Sequence, residues 1–187
     1  MTETKLQMAN RALRNIGNTA VLTAFGDGSE EDKAIAAYFE ELRRQHLQDY
    51  RWSFARRTAV LVLIEEADAQ AWRYLWDFQY EWPANCLRVL RILTPSGDEE
   101  TSPPKFEVST LDTEKVIYSR WPDAEVEYIH DVQLPEADDD PDLLDPLFRE
   151  MLTWSLSWHI APSLLVASEE RDKAARLYTS LERRAIR

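Results

Sequence analysis

The sequence holds one cysteine, four glycines and three histidines in 187 residues. A single thiol, Cys86, leaves no internal disulfide and no Cys-x-x-Cys pair for zinc. Four glycines cannot build the Gly-rich loop whose backbone amides cradle a phosphate. His46, His130 and His159 show no His-x-x-x-His spacing, and no Gly-x-Ser-x-Gly elbow accompanies them. Long apolar runs are also missing. The longest, AVLVLI over 59–64, falls far short of the roughly 20 residues that cross a bilayer. The N-terminal MTETKLQMANRALRN is charged and helical in pattern, without the apolar core of a signal peptide. The expectation is a soluble protein, made and used without export and with no membrane partner.

Positive charge is scarce as well. Lys and Arg number 22 against 34 Asp and Glu, for a net charge of −12. Affinity for a phosphate backbone comes from cations that displace counterions, so such a chain grips nucleic acid poorly. The imbalance is local. Residues 1–60 carry nine basic and eight acidic side chains, and residues 143–187 carry seven and six. Residues 61–142 carry six and twenty. The middle third thus holds the negative field, whether as a well-solvated exposed module or as a surface that repels DNA.

The remaining composition supports a core: 44% of residues are hydrophobic and 11% aromatic. Leu6, Ala9, Leu13 and Ile16 recur at helical spacing and stop at Gly17. Ser29, three residues before Asp32, predicts a capped second helix with a stripe of Ile35, Tyr38, Phe39, Leu42 and His46. Tyr50, Trp52 and Phe54 then alternate, and AVLVLI reads as a buried strand or a segment packed on the helices. Strands are expected over CLRVLRILT and AEVEYIHDV, with two more around Leu111-Asp112-Thr113. Pro83-Ala84-Asn85 has the length of a hairpin turn. Asp145 and Pro146 predict a helix start, followed by a stripe of Leu147, Met151, Trp154, Trp158 and Ala161. Ser168 is expected to cap a last helix with Ala174, Leu177, Tyr178 and Leu181 as its stripe. The order predicts an α+β fold, a helical bundle from the N- and C-terminal helices with an antiparallel β insertion in the middle. The divisions are 1–60 helical, 61–142 an acidic β-rich insertion, and 143–187 helical and packing back on 1–60. No internal repeat is present.

One stretch stands out. Tyr74, Trp76, Phe78, Tyr80 and Trp82 occupy alternate positions and share one face of an extended strand. A base-stacking platform needs neighbouring cations, whereas the opposite face carries Asp77 and Glu81. A ligand cleft needs convergent polar groups that the sequence does not display. Core and protein interface remain as equal readings, since aromatic surface of this extent is either covered or shared. These five residues are the candidate interface.

Chemistry finds little footing. Asp138, Asp139, Asp140 and Asp142 could attract calcium, but they lack the glycine and the closing glutamate of an EF-hand loop. Cys86 reads as a small buried hydrophobe. A glycosidase-type carboxylate pair is assembled by the fold and has no signature in spacing. No cofactor, metal or catalytic group is expected.

The order of pieces nevertheless resembles a family. LQMANRALRNIGNTAV, Trp-Ser-Phe-Ala at 52–55, YEWPANCLRV, DPLFREMLTWSLSWHIAPSL and a final helix with an Ala/Arg-rich end span nearly the whole chain. Together they resemble the tail tubular protein A family of short-tailed phages, the head-to-tail adaptors. WPANCLRV is the most specific piece, with Trp82 where the family has leucine and Asn85 where it has aspartate. The resemblance implies a non-enzymatic structural protein of the virion tail, assembled in the host cytoplasm. It implies a homo-oligomeric ring of twelve between the portal protein and the tail nozzle. DNA passes through such a ring without specific binding. Asp98, Glu99, Glu100, Asp138, Asp139 and Asp140 are then candidates to face that channel, where like charge keeps DNA from sticking. The competing readings are a cytoplasmic, non-enzymatic regulatory or binding module and, third, an acidic hydrolase with a carboxylate pair.

Overall fold

A computed structural model of the protein describes residues 3–66, 75–93, 104–137 and 143–185. The described residues form four helices and seven strands: α1 (Lys5–Asn15), α2 (Glu30–Asp49), β1 (Arg56–Val60), β2 (Leu63–Glu66), β3 (Phe78–Glu81), β4 (Cys86–Leu93), β5 (Phe106–Leu111), β6 (Glu114–Ser119), β7 (Glu125–His130), α3 (Pro146–Ile160) and α4 (Ser168–Ala185). The chain divides into two compact units, residues 1–54 with 132–187 and residues 55–131.

In the helical unit, local chemistry sets each helix start. Thr4 and Gln7 close a reciprocal capping box on α1, which satisfies two otherwise orphaned amides. Ser29 accepts from Asp32 N at the start of α2. The Asp32 carboxylate does not reach back to Ser29. It accepts instead from Gly26 N and Gly28 N at 3.0 and 3.2 Å, and so ties the preceding turn to the helix. Gly26 and Gly28 both have positive φ there, which a Cβ would strain. Asp145 accepts from Leu147 N, with Pro146 in the first turn of α3. The last helix begins at Ser168 itself, one residue earlier than a Ser168 cap would place it.

The expected stripe on α3 is corrected. Phe148, Met151, Leu152, Thr153, Ser155, Leu156, Ser157 and Ile160 are buried, whereas Trp158 is exposed. Each of the other three helices packs against α3. A helix covered on several sides has no single apolar stripe. Small hydroxyl residues serve where backbones come close: Ser157 Oγ lies 3.1 Å from Ala12 O, and Arg11 Nη2 donates to Thr153 Oγ1 at 2.8 Å. Trp52 and Phe54 meet Phe148 edge-on at 5.4 and 5.2 Å and close the core at that end.

The β unit holds two antiparallel sheets, of order β1-β7-β4 and β2-β3-β6-β5. Leu61, Tyr80, Val89, Ile92, Ile117, Ala124, Val126 and Tyr128 form its own buried core. Each fully buried aliphatic or aromatic side chain there contributes roughly 1.5–3 kcal/mol. β5 and β6 form the expected hairpin around Asp112, which takes a left-handed φ of 55°. β3 and β4 do not form one. β3 pairs with β2 and β6, while β4 pairs with β7, so 82–85 carries the chain from one sheet to the other.

These pairings correct the expected fold. The described chain is an α+β mix with its strands in the middle, but not a helical bundle carrying one antiparallel insertion. The middle is two sheets with a core of their own. The strand Arg56–Val60, read as part of the helical region, pairs along its length with β7. AVLVLI is also neither one strand nor buried. Its first two residues end β1, its last two begin β2, and of the six only Leu61 is buried.

Candidate interaction surfaces

The aromatic row is placed mostly inward. Tyr80 is buried and its hydroxyl donates to Trp121 O at 2.5 Å. Phe78 and Trp82 are partly buried and pack on the core of the β unit, with Phe78 6.2 Å from Tyr80. The Trp82 indole donates to Cys86 O at 2.9 Å, and Lys115 Nζ stands 4.8 Å from the ring centroid. Trp76 is half-buried ahead of the strand, and its indole donates to Glu107 at 2.9 Å. Tyr74 lies outside the described residues, as do Asp98, Glu99, Glu100, Asp138, Asp139 and Asp140. Tyr80 is sealed in the core, whereas Trp76, Phe78 and Trp82 each keep partial exposure.

The other face of the same sheet carries a polar row. Glu65 pairs with Gln79, Gln79 with Tyr118, and Tyr118 with Glu107, so these four cross the sheet in register. Gln79 is buried and its amide nitrogen has no hydrogen-bond partner. Burial raises the Tyr118 phenol above its ordinary pKa, and the charges of Glu107 and Glu65 add to the shift.

A patch absent from the sequence-based candidates lies at β1 and β2. Val60, Val62, Leu63 and Ile64 are 62, 58, 45 and 46% exposed. The sequence signal was there, but a compact apolar hexapeptide reads as core.

In the helical unit, aromatic and histidine rings gather on α2, α3 and α4. His46 stacks on Tyr178 at 5.5 Å, Tyr178 on Trp158 at 6.1 Å, and His159 lies 4.7 Å from Trp158 and 5.7 Å from Tyr38. Tyr50 and Tyr178 both donate to Glu182, at 3.1 and 3.3 Å. Burial, with the neighbouring His159 as a smaller cause, lowers the His46 pKa to about 4. Neither ring nitrogen of His46 has a hydrogen-bond partner. Burial pushes the Tyr178 phenol up to about 12.

Nucleophilic and metal chemistry gain little from this geometry. Burial pushes the Cys86 thiol up to about 12, which leaves it protonated at neutral pH. Among the described residues, no three His, Cys, Asp or Glu side chains are grouped to hold a metal ion. No described helix is long and apolar enough to cross a membrane. Two open depressions lie on the outer faces of α2 and α4. Glu40, Glu41, Arg44, Gln45, Gln48 and Asp49 line the first, and Ala175, Arg176, Thr179, Ser180 and Arg183 the second. Both lie open to solvent, unlike the clefts that enclose small ligands. No family model matches the sequence, and no curated protein matches it.

Proposed function

We propose that this chain is a structural, non-enzymatic head-to-tail adaptor of a short-tailed phage, working as a ring of twelve between portal and tail nozzle. The observation that carries the reading is the segment Trp82-Pro83-Ala84-Asn85-Cys86-Leu87-Arg88, set between an aromatic strand and an apolar strand in a chain that begins and ends with helices. Asn85 sits at a left-handed φ of 54°, a conformation that Asn and Asp tolerate best among residues with a side chain. Either asparagine or aspartate at this position suits the backbone conformation seen here. The surplus of acid in the middle third fits a channel that must let DNA pass without holding it. On this reading the helical segments dock on the portal, and the β unit meets the nozzle and the neighbouring subunits.

Particle mass tests the reading. Mixed with the portal ring encoded by the same genome, the protein should add about one copy per portal subunit in a closed symmetric assembly. Two folded proteins that stay apart at micromolar concentration would sink it. The channel role of the acids has its own test. Replacing Asp138, Asp139 and Asp140 by asparagine should slow genome ejection while the ring still assembles. Unchanged ejection would remove that role.

A further inference from the structure

We propose that residues 56–66 form a self-association surface that takes a second copy of this chain, laid antiparallel across a two-fold axis. β1 and β2 are each the terminal strand of their sheet among the described residues. The segment reads Arg-Arg-Thr-Ala-Val-Leu-Val-Leu-Ile-Glu-Glu. Leu61 turns into the core, while Val60, Val62, Leu63 and Ile64 stay about half exposed or more. Apolar side chains beside open sheet edges invite pairing with another chain, and proteins normally blunt such edges with charge.

Here charge stands only at the two ends, and it is of opposite sign. Arg56 and Arg57 are exposed at one end, and Glu65 is exposed at the other. This pattern selects the occupant. A uniformly acidic partner would meet Glu65, and a uniformly basic one would meet Arg57. A second copy in parallel would set arginine on arginine. A second copy laid antiparallel sets Arg57 opposite Glu65 and Val60 opposite Val62, each twice per pair by symmetry, with Leu63 and Ile64 over Ala59 and Thr58 of the other copy. The contact is isologous and closes at two copies. It is therefore separate from any ring contact and describes the protein before it meets a template.

Sedimentation of the full chain across a concentration series tests the inference. The expected result is reversible growth from monomer mass to twice that mass. Val62→Glu should hold the protein at monomer mass with an unchanged circular dichroism spectrum. Arg57→Glu and Glu65→Arg should each weaken association about tenfold, and the two combined in one chain should restore most of it. The restoring double variant separates pairing from misfolding, because each half weakens association alone. A wild-type chain that stays monomeric at high micromolar concentration would overturn the proposal. So would association that passes directly to larger masses, or a double variant as weak as its single parents.

Discussion

The imidazole of His46 lies on the ring of Tyr178, with centroids 5.5 Å apart and planes inclined by 25°. One ring belongs to α2 and the other to α4, so the stack joins two helices far apart in the chain. His46 is 1% exposed, and Trp52 Nε1 donates to its backbone oxygen at 2.9 Å. The stack works as an apolar contact only while the imidazole is neutral.

The helical unit should therefore lose stability in acid through this ring. The folded-state pKa of His46 is lowered from 6.5 to about 4, mainly by burial and then by His159. The unfolded chain takes a proton first, near pH 6.5, so the contribution is full above that value. It declines as pH falls from 6.5 towards 4, with a total on the order of 3 kcal/mol. His46→Phe keeps the stacked ring and removes the titration. Urea unfolding at pH 7 and pH 5, followed by tryptophan fluorescence, should show a smaller pH difference for His46→Phe than for wild type. Equal differences would mean that His46 does not titrate as its burial requires.

Arg43 is a second buried polar anchor of the helical unit, 1% exposed on α2. Its Nε donates to Glu40 at 2.8 Å and its Nη1 to Val132 O at 2.6 Å. Glu40 is half exposed and also pairs with Lys5, so its carboxylate keeps water and a cation when Arg43 is lost. The Val132 carbonyl is the costly loss. Arg43→Ala should destabilise by roughly 2–4 kcal/mol, through an unsatisfied carbonyl and a cavity. Arg43→Lys should recover only part of this, since one ammonium cannot reproduce the fork. Urea midpoints at neutral pH report both. A loss below about 1 kcal/mol for Arg43→Ala would show that water replaces the guanidinium.

Much of this framework was legible in the sequence, and the exceptions have physical causes. The stripe Ile35, Phe39, Leu42 on α2 and the Asp145-Pro146 start of α3 depend on neighbours in sequence, and both appear in the structure. The α3 stripe failed because that helix is covered on several sides, and buried Ser155 and Ser157 look like surface residues in a periodicity count. AVLVLI failed because strand partners are set by the whole sheet. β1 finds β7 and β2 finds β3, and nothing local announces the break between them. The supposed hairpin at 83–85 failed for the same reason, since length permits a turn without choosing the partner strand. Burial of Arg43 was invisible because a charged residue reads as solvated until its partners are known. The aromatic row showed its alternation plainly, but a period of two does not say what covers the face.

Tyr80 shows what covers it. The ring sits among Leu61, Val89, Ile92 and Ile117, and the hydroxyl donates to Trp121 O. Tyr80→Phe should cost about 1 kcal/mol for the lost hydrogen bond. Tyr80→Ala should cost roughly 3–5 kcal/mol, as for other large-to-small changes in a core. Trp76→Ala, at a half-buried position, should cost less than Tyr80→Ala. Thermal or urea unfolding of the three variants gives the ranking. If Tyr80→Ala were tolerated as well as Trp76→Ala, the row would be a surface and not a core.

Asn85 holds the crossover between the two sheets. Its φ is 54°, Asp131 N donates to its carbonyl at 2.7 Å, and its side chain is exposed. A Cβ-bearing residue without a polar tip pays about 1 kcal/mol or more in this conformation. Glycine adopts it freely but has more freedom to lose from the unfolded chain. Asn85→Ala should therefore destabilise by about 1 kcal/mol, while Asn85→Gly should stay within about half that of wild type. Asn85→Asp should also be tolerated, because aspartate shares the left-handed preference. The comparison isolates backbone conformation, since the asparagine side chain does not help fill the core. Equal losses for Ala and Gly would show that the side chain itself, and not the left-handed turn, fixes the passage from β3 to β4.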